Sequence, residues 1–134
     1  MFLLDTCVIS ETSKAVSSES VLRWMTQQDP EELFISTLTL GELHFGVRLM
    51  PPGKRRESFA SWLAELERNF AGRFIVFDDV SAIRWATLRL EDRNAQTVDC
   101  QIAATALAYG LTLVTRNVKD FAYKGLTVFN PWQG

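Results

Sequence analysis

The stretch "TVDCQIAATALAYGLTLVT", residues 97–115, joins an apolar helix directly to a short strand. At about 100° per residue, one inward-facing stripe of the helix contains Asp99, Ile102, Ala103 and Ala106. Gly110 stands where a left-handed C-cap is expected, and "TLVT" at 112–115 has the composition of a strand. We therefore predict a helix over 97–110 that carries Asp99 on a face otherwise suited to the core.

The same alternation of strand and helix extends over the rest of the chain. Apolar runs predict four more strands, at 2–6, 33–37, 73–77 and 126–130. Helical spacing predicts four more helices, at 17–29, 38–50, 57–70 and 80–92. The helix at 38–50 is apolar on most of its circumference, so we expect it to be buried. A polar loop is expected at 93–97. The pattern predicts an α/β fold whose mainly parallel sheet is covered on both faces and binds ligands at the carboxyl ends of its strands.

Composition limits the class of protein. A chain of 134 residues with 47% hydrophobic and 22% charged residues predicts one globular domain over 1–134. The first ten residues include Asp5 and lack the basic start of a signal peptide, and no apolar segment is long enough to span a membrane. Cys7 and Cys100 form no disulfide framework and are expected to be small buried apolar residues. We expect a cytoplasmic protein without membrane contact.

The formal net charge of −2 predicts no long-range attraction of a polyanion. Any contact with a nucleic acid must therefore be local. Basic residues that offer such contacts are Lys54, Arg55, Arg56, Arg68, Arg73, Arg84, Arg89, Arg93, Arg116, Lys119 and Lys124. Each of them, taken alone, is also explained as a solvated surface charge.

Asp5 and Asp99 each have a structural explanation besides a functional one. Asp5 ends the first strand and can cap the following turn. Asp99 lies in the first turn of its helix, where the dipole and the free N–H groups favour an acid. That explanation does not account for the apolar stripe on which Asp99 lies.

Two further acids complete the set. Thr39 and Glu42 match a capping box, but Glu42 also shares a helix side with Phe45 and Leu49, so we expect it to point at protein. Asp120 follows a predicted strand and turn, where a single acid is usually solvated. Asp78 and Asp79 are better explained as the N-terminal cap of the helix at 80–92.

Convergence of these acids is the simplest explanation for their positions. Three of them lie where an element meets one rim of the predicted sheet, and Glu42 can reach the same rim. Two carboxylates about 4 Å apart repel by roughly 4 kcal/mol at an effective dielectric constant of about 20. Such a cluster persists if some acids are protonated or if a divalent cation neutralises it. Oxygen ligands without a Cys or His set favour Mg²⁺ or Mn²⁺ over Zn²⁺, and such sites serve phosphoryl chemistry.

At these residues the chain resembles the PIN-domain family, specifically the VapC-like and FitB-like toxins of type II toxin–antitoxin systems. The matching motifs are "LLDTCVIS", "LTLGELHFGV", "DCQIAATALAYGLTLVTRN" and "VFNPW", which together span nearly the whole chain. The resemblance implies a three-layer α/β/α sandwich with a sheet of about five strands. It further implies a Mg²⁺- or Mn²⁺-dependent endoribonuclease that hydrolyses RNA phosphodiesters with metal-activated water.

The resemblance also assigns roles to individual residues. It implies Asp5, Glu42 and Asp99 as the first three catalytic acids. Family members that read T-R-D place the fourth acid where this chain has Asn117, whereas those that read T-R-N-x-x-D-F offer the later acid, here Asp120. We choose Asp120 as the fourth, with Asp5, Asp99 and Asp120 as the metal ligands. Supporting roles are expected for Thr6, Thr115 and Asn117.

The family further implies partners, namely an RNA such as tRNA or ribosomal RNA, a cognate small antitoxin, a homodimer and a toxin–antitoxin hetero-oligomer. Two other functions compete with this interpretation. A phosphorylated receiver domain also places acids around Mg²⁺, but it needs paired acids after the first strand and a Lys after the fifth, which this chain lacks. A catalytically silent PIN-like binding or regulatory domain remains the alternative, and a nuclease assay with and without EDTA separates it from the enzyme.

Overall fold

The computed structural model describes residues 1–93 and 97–133. The strands are β1 (Phe2–Leu4), β2 (Leu33–Ser36), β3 (Phe74–Ile75), β4 (Thr112–Val114) and β5 (Val128–Phe129). The helices are α1 (Thr6–Ser10), α2 (Glu19–Gln27), α3 (Thr37–Leu49), α4 (Lys54–Asn69), α5 (Asp79–Glu91) and α6 (Thr97–Tyr109). Every predicted strand and helix is present, although all five strands are shorter than predicted. The short helix α1 was not predicted and begins at Thr6, inside the predicted first strand. Residues 94–96 of the predicted loop lie outside the described residues.

The five strands form one sheet in the order β3-β2-β1-β4-β5, and every pair is parallel. The chain starts on the central strand, continues through β2 and β3 on one side, and then crosses over to β4 and β5 on the other. The strand order therefore reverses between β1 and β4, where Leu4 pairs with Val114. In open parallel sheets the crevice at such a point is where ligands bind.

Consecutive residues of β1 point to opposite faces of the sheet and fix two separate cores. Leu3 belongs to a core that contains Ile102 and Ala103 of α6, whereas Leu4 belongs to a core that contains Val21 of α2 and Leu63 of α4. All of these side chains are buried. Helices thus cover both faces, which confirms the predicted three-layer α/β/α architecture.

Both predicted helix caps are confirmed. Gly110 has a φ of +63°, and the N–H of Leu111 donates to the carbonyl oxygen of Ala106 at 2.8 Å, which is the bonding pattern of a Schellman cap. At the start of α5 the side chain of Asp78 accepts a hydrogen bond from the N–H of Ser81 at 2.9 Å. These two caps fix the ends of the helices that cover one face of the sheet.

The prediction that α3 is buried is wrong, because only Thr39 of this helix is inaccessible, and Phe45 and Leu49 are 63% and 68% exposed. The capping box, which was the alternative explanation for Glu42, is not the cap of this helix, because Ser36 caps it by accepting a hydrogen bond from the N–H of Leu38. Leu38 of α3 packs against the core that contains Leu3, and Leu40, Leu43 and Val47 pack against the core that contains Leu4. A helix that is apolar all round does not reveal from its sequence which of its faces finds a partner.

Candidate active site

Asp5 and Thr115 meet at the point where the strand order reverses. Asp5 follows β1 and Thr115 follows the neighbouring strand β4, so the parallel pairing brings them side by side. The hydroxyl of Thr115 donates to Oδ2 of Asp5 at 2.7 Å, and the N–H of Asn117 donates to the same hydroxyl at 3.0 Å. Asp5 is only 8% exposed, and Thr115 is completely buried. The buried carboxylate is thus held in one orientation.

The second oxygen of Asp5 caps α1. Its Oδ1 accepts a hydrogen bond from the N–H of Thr6 at 2.9 Å, and Asp5 is the N-cap residue of that helix. The capping role expected from the sequence is therefore confirmed. It coexists with a place among the four acids singled out in the sequence, which are Asp5, Glu42, Asp99 and Asp120 and are called the acidic cluster below. The cap uses one carboxylate oxygen, while the other is held by the neighbouring strand.

Cys7 is not the small buried residue that we predicted. Its side chain is half-buried, and Sγ lies 3.6 Å from Oδ2 of Asp5 and 3.6 Å from Oγ1 of Thr115. Burial, followed in importance by opposing contributions from hydrogen bonds and from the charge of Asp5, raises the pKa of the Cys7 thiol. Since the thiol is then protonated, it donates to Asp5. Cys100 is fully buried as expected, and both cysteines are free.

The remaining acids act on one another electrostatically. Burial raises the pKa of Asp99, and the carboxylates of Asp5 and Asp120 raise it further. Glu42 is exposed overall, but the protein covers part of its side chain, and this partial burial raises its pKa, with further contributions from Asp5 and Asp99. Like charges raise a carboxyl pKa only when they lie close by. Asp99 therefore lies within electrostatic range of Asp5 and Asp120, and Glu42 lies within range of Asp5 and Asp99.

The four acids differ in how far the protein buries them. Asp99 lies half-buried in the first turn of α6, and Asp120 is exposed on the 3-10 turn Val118–Phe121. Glu42 is on the same side of α3 as Phe45, as the helical spacing predicted, but this side faces water. The prediction that Glu42 points at protein is wrong. Of the four acids singled out in the sequence, Asp5 alone is buried.

The donor chemistry of the cluster fits a hard divalent cation. Among residues 1–93 and 97–133, no three His, Cys, Asp or Glu side chains are already arranged to hold a metal ion. Mg²⁺ does not need such a cage, because it usually keeps several waters and binds one or two carboxylates. Burial is the main cause of the raised pKa values of Glu42 and Asp99, and the smaller contribution from neighbouring carboxylates is what such an ion would offset.

Sequence reasoning missed the roles of two charged residues. Glu11 is 4% exposed, accepts a hydrogen bond from the N–H of Ser18 at 2.8 Å and pairs with Lys14 at 2.5 Å, so it orders the start of α2. Arg116 was one of many scattered basic residues, yet its guanidinium lies over the ring of Trp132, 5.3 Å from the ring centroid. Two sequence signals separated Arg116 from the other basic residues, namely its position directly after β4 and its place in the family motif that ends in T-R-N.

The comparisons with known proteins agree with this fold. A family model described as the PIN domain matches residues 2–124. The VapC ribonuclease Y4jK of Sinorhizobium fredii is 40% identical over 138 residues, or 99% of both chains. A crystal structure of FitAcB from Neisseria gonorrhoeae matches all of both chains with a TM-score of 0.93 and 34% identity. A structure of a toxin–antitoxin complex from Klebsiella pneumoniae contains a chain that matches over 98% of each, with a TM-score of 0.69 and 26% identity.

The sheet order, the acids at its reversal point and the matching family model define one class of protein. The chain belongs to the PIN-domain family. Within that family it is similar to the VapC-like and FitB-like toxins, as its sequence motifs indicated. None of the helices within the described ranges is long and apolar enough to cross a membrane.

Proposed function

We propose that this chain is the toxin of a toxin–antitoxin module and that it acts as an endoribonuclease dependent on Mg²⁺ or Mn²⁺. The observation that carries the proposal is the buried carboxylate of Asp5, which Thr115 holds at the point where the strand order reverses. The charges of Asp5 and Asp120 also contribute to the raised pKa of Asp99. The relative named a VapC ribonuclease, which is similar over nearly its full length, supports nuclease chemistry at this site.

Asp5, Asp99 and Asp120 are the proposed ligands of the divalent cation. A bound divalent ion would offset the charge of a phosphodiester and lower the pKa of a coordinated water. Thr115 and Thr6 each engage one oxygen of Asp5, and this keeps the buried carboxylate in a fixed position. Asn117 orients the Thr115 hydroxyl in turn. The residues with proposed supporting roles thus act through Asp5.

Glu42 is the residue proposed to act on the attacking water. It is exposed toward solvent, and the charges of Asp5 and Asp99 contribute to its raised pKa. A carboxylate with a raised pKa is a stronger base, so Glu42 is suited to orient a water and accept its proton, or to bind a second ion.

The partners are proposed from the family resemblance and from the similar chain in a toxin–antitoxin complex. A cognate small antitoxin with a basic side chain would neutralise the acids, because an Arg pairs with carboxylates bidentately. A homodimer within a toxin–antitoxin hetero-oligomer is the proposed assembly. The proposed substrate is RNA, of which tRNA and ribosomal RNA are the classes to test first.

The decisive experiment is Asp99→Asn, with Asp79→Asn as the matched control. Both residues are acids in the first turn of a helix, but Asp79 lies on α5 and is not among the charges that act on Asp99 or Glu42. In Mg²⁺ buffer we expect Asp99→Asn to slow RNA cleavage by at least about a hundredfold without lowering the melting temperature. Asp79→Asn should cleave as the natural chain does.

Two results would contradict the proposal. Full cleavage by Asp99→Asn would show that the acidic cluster is not the active site. RNA cleavage that EDTA leaves unchanged would show that no divalent ion is needed. If the natural chain cuts no RNA with either metal, the chain is instead a PIN-like binding or regulatory domain.

A further inference from the structure

A groove beside the acidic cluster contains two basic side chains, of Arg116 and Lys119, that the proposed chemistry does not use. Its volume is about 550 Å³, and its lining includes Arg116, Asn117, Lys119, Asp120 and Asn130. We propose that this groove binds the single-stranded RNA next to the bond that is cut, with Arg116 and Lys119 contacting its phosphates. This inference rests on the proposed ribonuclease function.

The groove is continuous with the acidic cluster. Asn117 lines the groove, and its backbone N–H donates to the hydroxyl of Thr115, which in turn donates to Oδ2 of Asp5. On the other side, Arg116 follows Thr115 directly, and its backbone N–H donates to Sγ of Cys7, which itself lies against Asp5. An RNA strand lying in the groove therefore reaches the carboxylates without leaving the surface.

The side chain of Arg116 is held in place. Its guanidinium lies over the ring of Trp132, which is half-buried against the core that contains Leu4. The backbone N–H of Trp132 donates to Oδ1 of Asn130 at 2.9 Å, which fixes the turn that carries the ring. A guanidinium restrained over an aromatic ring loses less conformational freedom on binding a phosphate than a mobile one.

The charge balance favours an anionic strand as the ligand. Within the described part of the chain, neither Arg116 nor Lys119 forms a salt bridge with a carboxylate, although Asp120 follows Lys119 directly. The protein carries a net charge of −2 and its acids repel RNA, so productive binding needs local cations within about one Debye length, roughly 8 Å. The groove also contains amides, which donate hydrogen bonds to phosphate or ribose oxygens.

The size of the groove agrees with this assignment. Its volume lies inside the range of about 300 to 1,000 Å³ that is typical of small-molecule sites, and a nucleotide falls within that class. Single-stranded RNA is the form whose bases are free to enter such a groove, because the bases of a double helix stay stacked and paired. The proposed ligand is therefore an unpaired segment.

The test is Arg116→Ala and Lys119→Ala, with Arg68→Ala as the control. Arg68 lies in the last turn of α4, five residues before Arg73, whose side chain donates to the carbonyl oxygen of Leu33. Leu33 starts β2, which lies on the other side of β1 from β4 and β5. Replacing Arg116 by Ala keeps the backbone N–H that bonds to Cys7. Binding of a fluorescein-labelled, unstructured RNA would be measured by anisotropy in the Asp99→Asn background across a range of salt concentrations.

We expect each groove variant to bind RNA roughly tenfold more weakly than the parent. The slope of log K against log salt should fall by about 0.7 for each RNA phosphate that the variant no longer neutralises. Arg68→Ala should bind like the parent, and the melting temperatures should be unchanged. In the natural background, KM for cleavage should rise more than kcat falls.

Parent-like affinity and salt slope in both groove variants would overturn the inference while leaving the ribonuclease proposal intact. An equal loss of affinity in Arg68→Ala would also overturn it, because the effect would then reflect net charge alone. If the natural chain cuts RNA but the Asp99→Asn parent binds none, the groove is not a binding site. If the natural chain neither binds nor cuts RNA, the proposed function itself fails.

Discussion

The carboxylate of Asp5 does two things at once because it has two oxygens. One oxygen caps α1 through the N–H of Thr6, and the other accepts from Thr115 on the neighbouring strand. A buried charge is tolerable only when hydrogen bonds replace the water that it has lost. The bond from Thr115 is therefore expected to matter for both stability and activity.

Thr115→Val tests this expectation, because Val keeps the shape of Thr and removes only the hydroxyl donor. We expect a loss of about 1 to 3 kcal/mol in the free energy of unfolding, since a buried carboxylate loses one of its hydrogen bonds. RNA cleavage should fall as Asp5 loses its fixed orientation. Thr115→Ser, which keeps the hydroxyl, should retain most of both. Chemical denaturation and cleavage rates measure the two effects. A Val variant as stable and active as the Ser variant would show that the bond is incidental.

At the scale of elements, α6 follows most directly from the sequence. Its apolar stripe packs inward as the helical period requires, and Gly110 ends it in the left-handed conformation. A Cβ built on Gly110 meets no atom within 4 Å, so its requirement for glycine comes from the backbone conformation alone. A Cβ built on Gly46 of α3 also meets no atom within 4 Å, but the φ of Gly46 is not positive, so the backbone there does not require glycine.

Gly110→Ala and Gly46→Ala should therefore change stability in opposite directions. Alanine at 110 must adopt a left-handed conformation, which we expect to cost about 1 kcal/mol. Alanine at 46 lies inside a helix and should stabilise the protein by about 0.5 to 1 kcal/mol. Urea unfolding of both variants gives the comparison. Equal changes of the same sign would show that the backbone conformation at 110 does not decide the effect.

At the scale of the whole molecule, the clustered acids make stability depend on pH. The pKa values of Asp99 and Glu42 are raised in the folded protein, so the folded state binds protons more tightly than the unfolded state does. Their contribution to stability therefore falls as pH rises from about 4 through the raised pKa values. Glu11 acts in the opposite direction, because its hydrogen bond with Lys14 lowers its pKa. Its contribution is lost as pH falls.

Comparing the natural chain with Asp99→Asn separates the pH dependence of stability that the acidic cluster causes from that caused by Glu11. In EDTA we expect Asp99→Asn to melt at a higher temperature than the natural chain at neutral pH, with the difference shrinking towards pH 4 as the acids become protonated. Mg²⁺ should raise the melting temperature of the natural chain and have less effect on the variant. Thermal melts across pH, with and without Mg²⁺, measure this. A difference that does not change with pH would contradict electrostatic strain at this site.

The sequence by itself determined the layers of the fold and the identity of the acids. Hydrophobic period distinguished strands from helices, Gly110 and Asp78 marked helix ends, and the strand–helix alternation predicted a parallel sheet. These features are local, because they depend on residues a few positions apart. The shared field of Asp5 and Asp99 was foreseen from their placement at strand and helix ends. The resemblance to the PIN-domain family, which rests on motifs along the chain, added the role expected of each acid.

Only the tertiary structure decided which faces of the helices are covered by other elements. It left Phe45 and Glu42 facing water on a helix predicted to be buried, and it placed Cys7 against Asp5. It also set Arg116 over Trp132 beside the acids. Each of these arrangements depends on side chains from separate elements, or on whether another element covers a face. Periodicity gives the direction of a side chain relative to its own helix or strand, whereas packing between elements sets what that side chain meets.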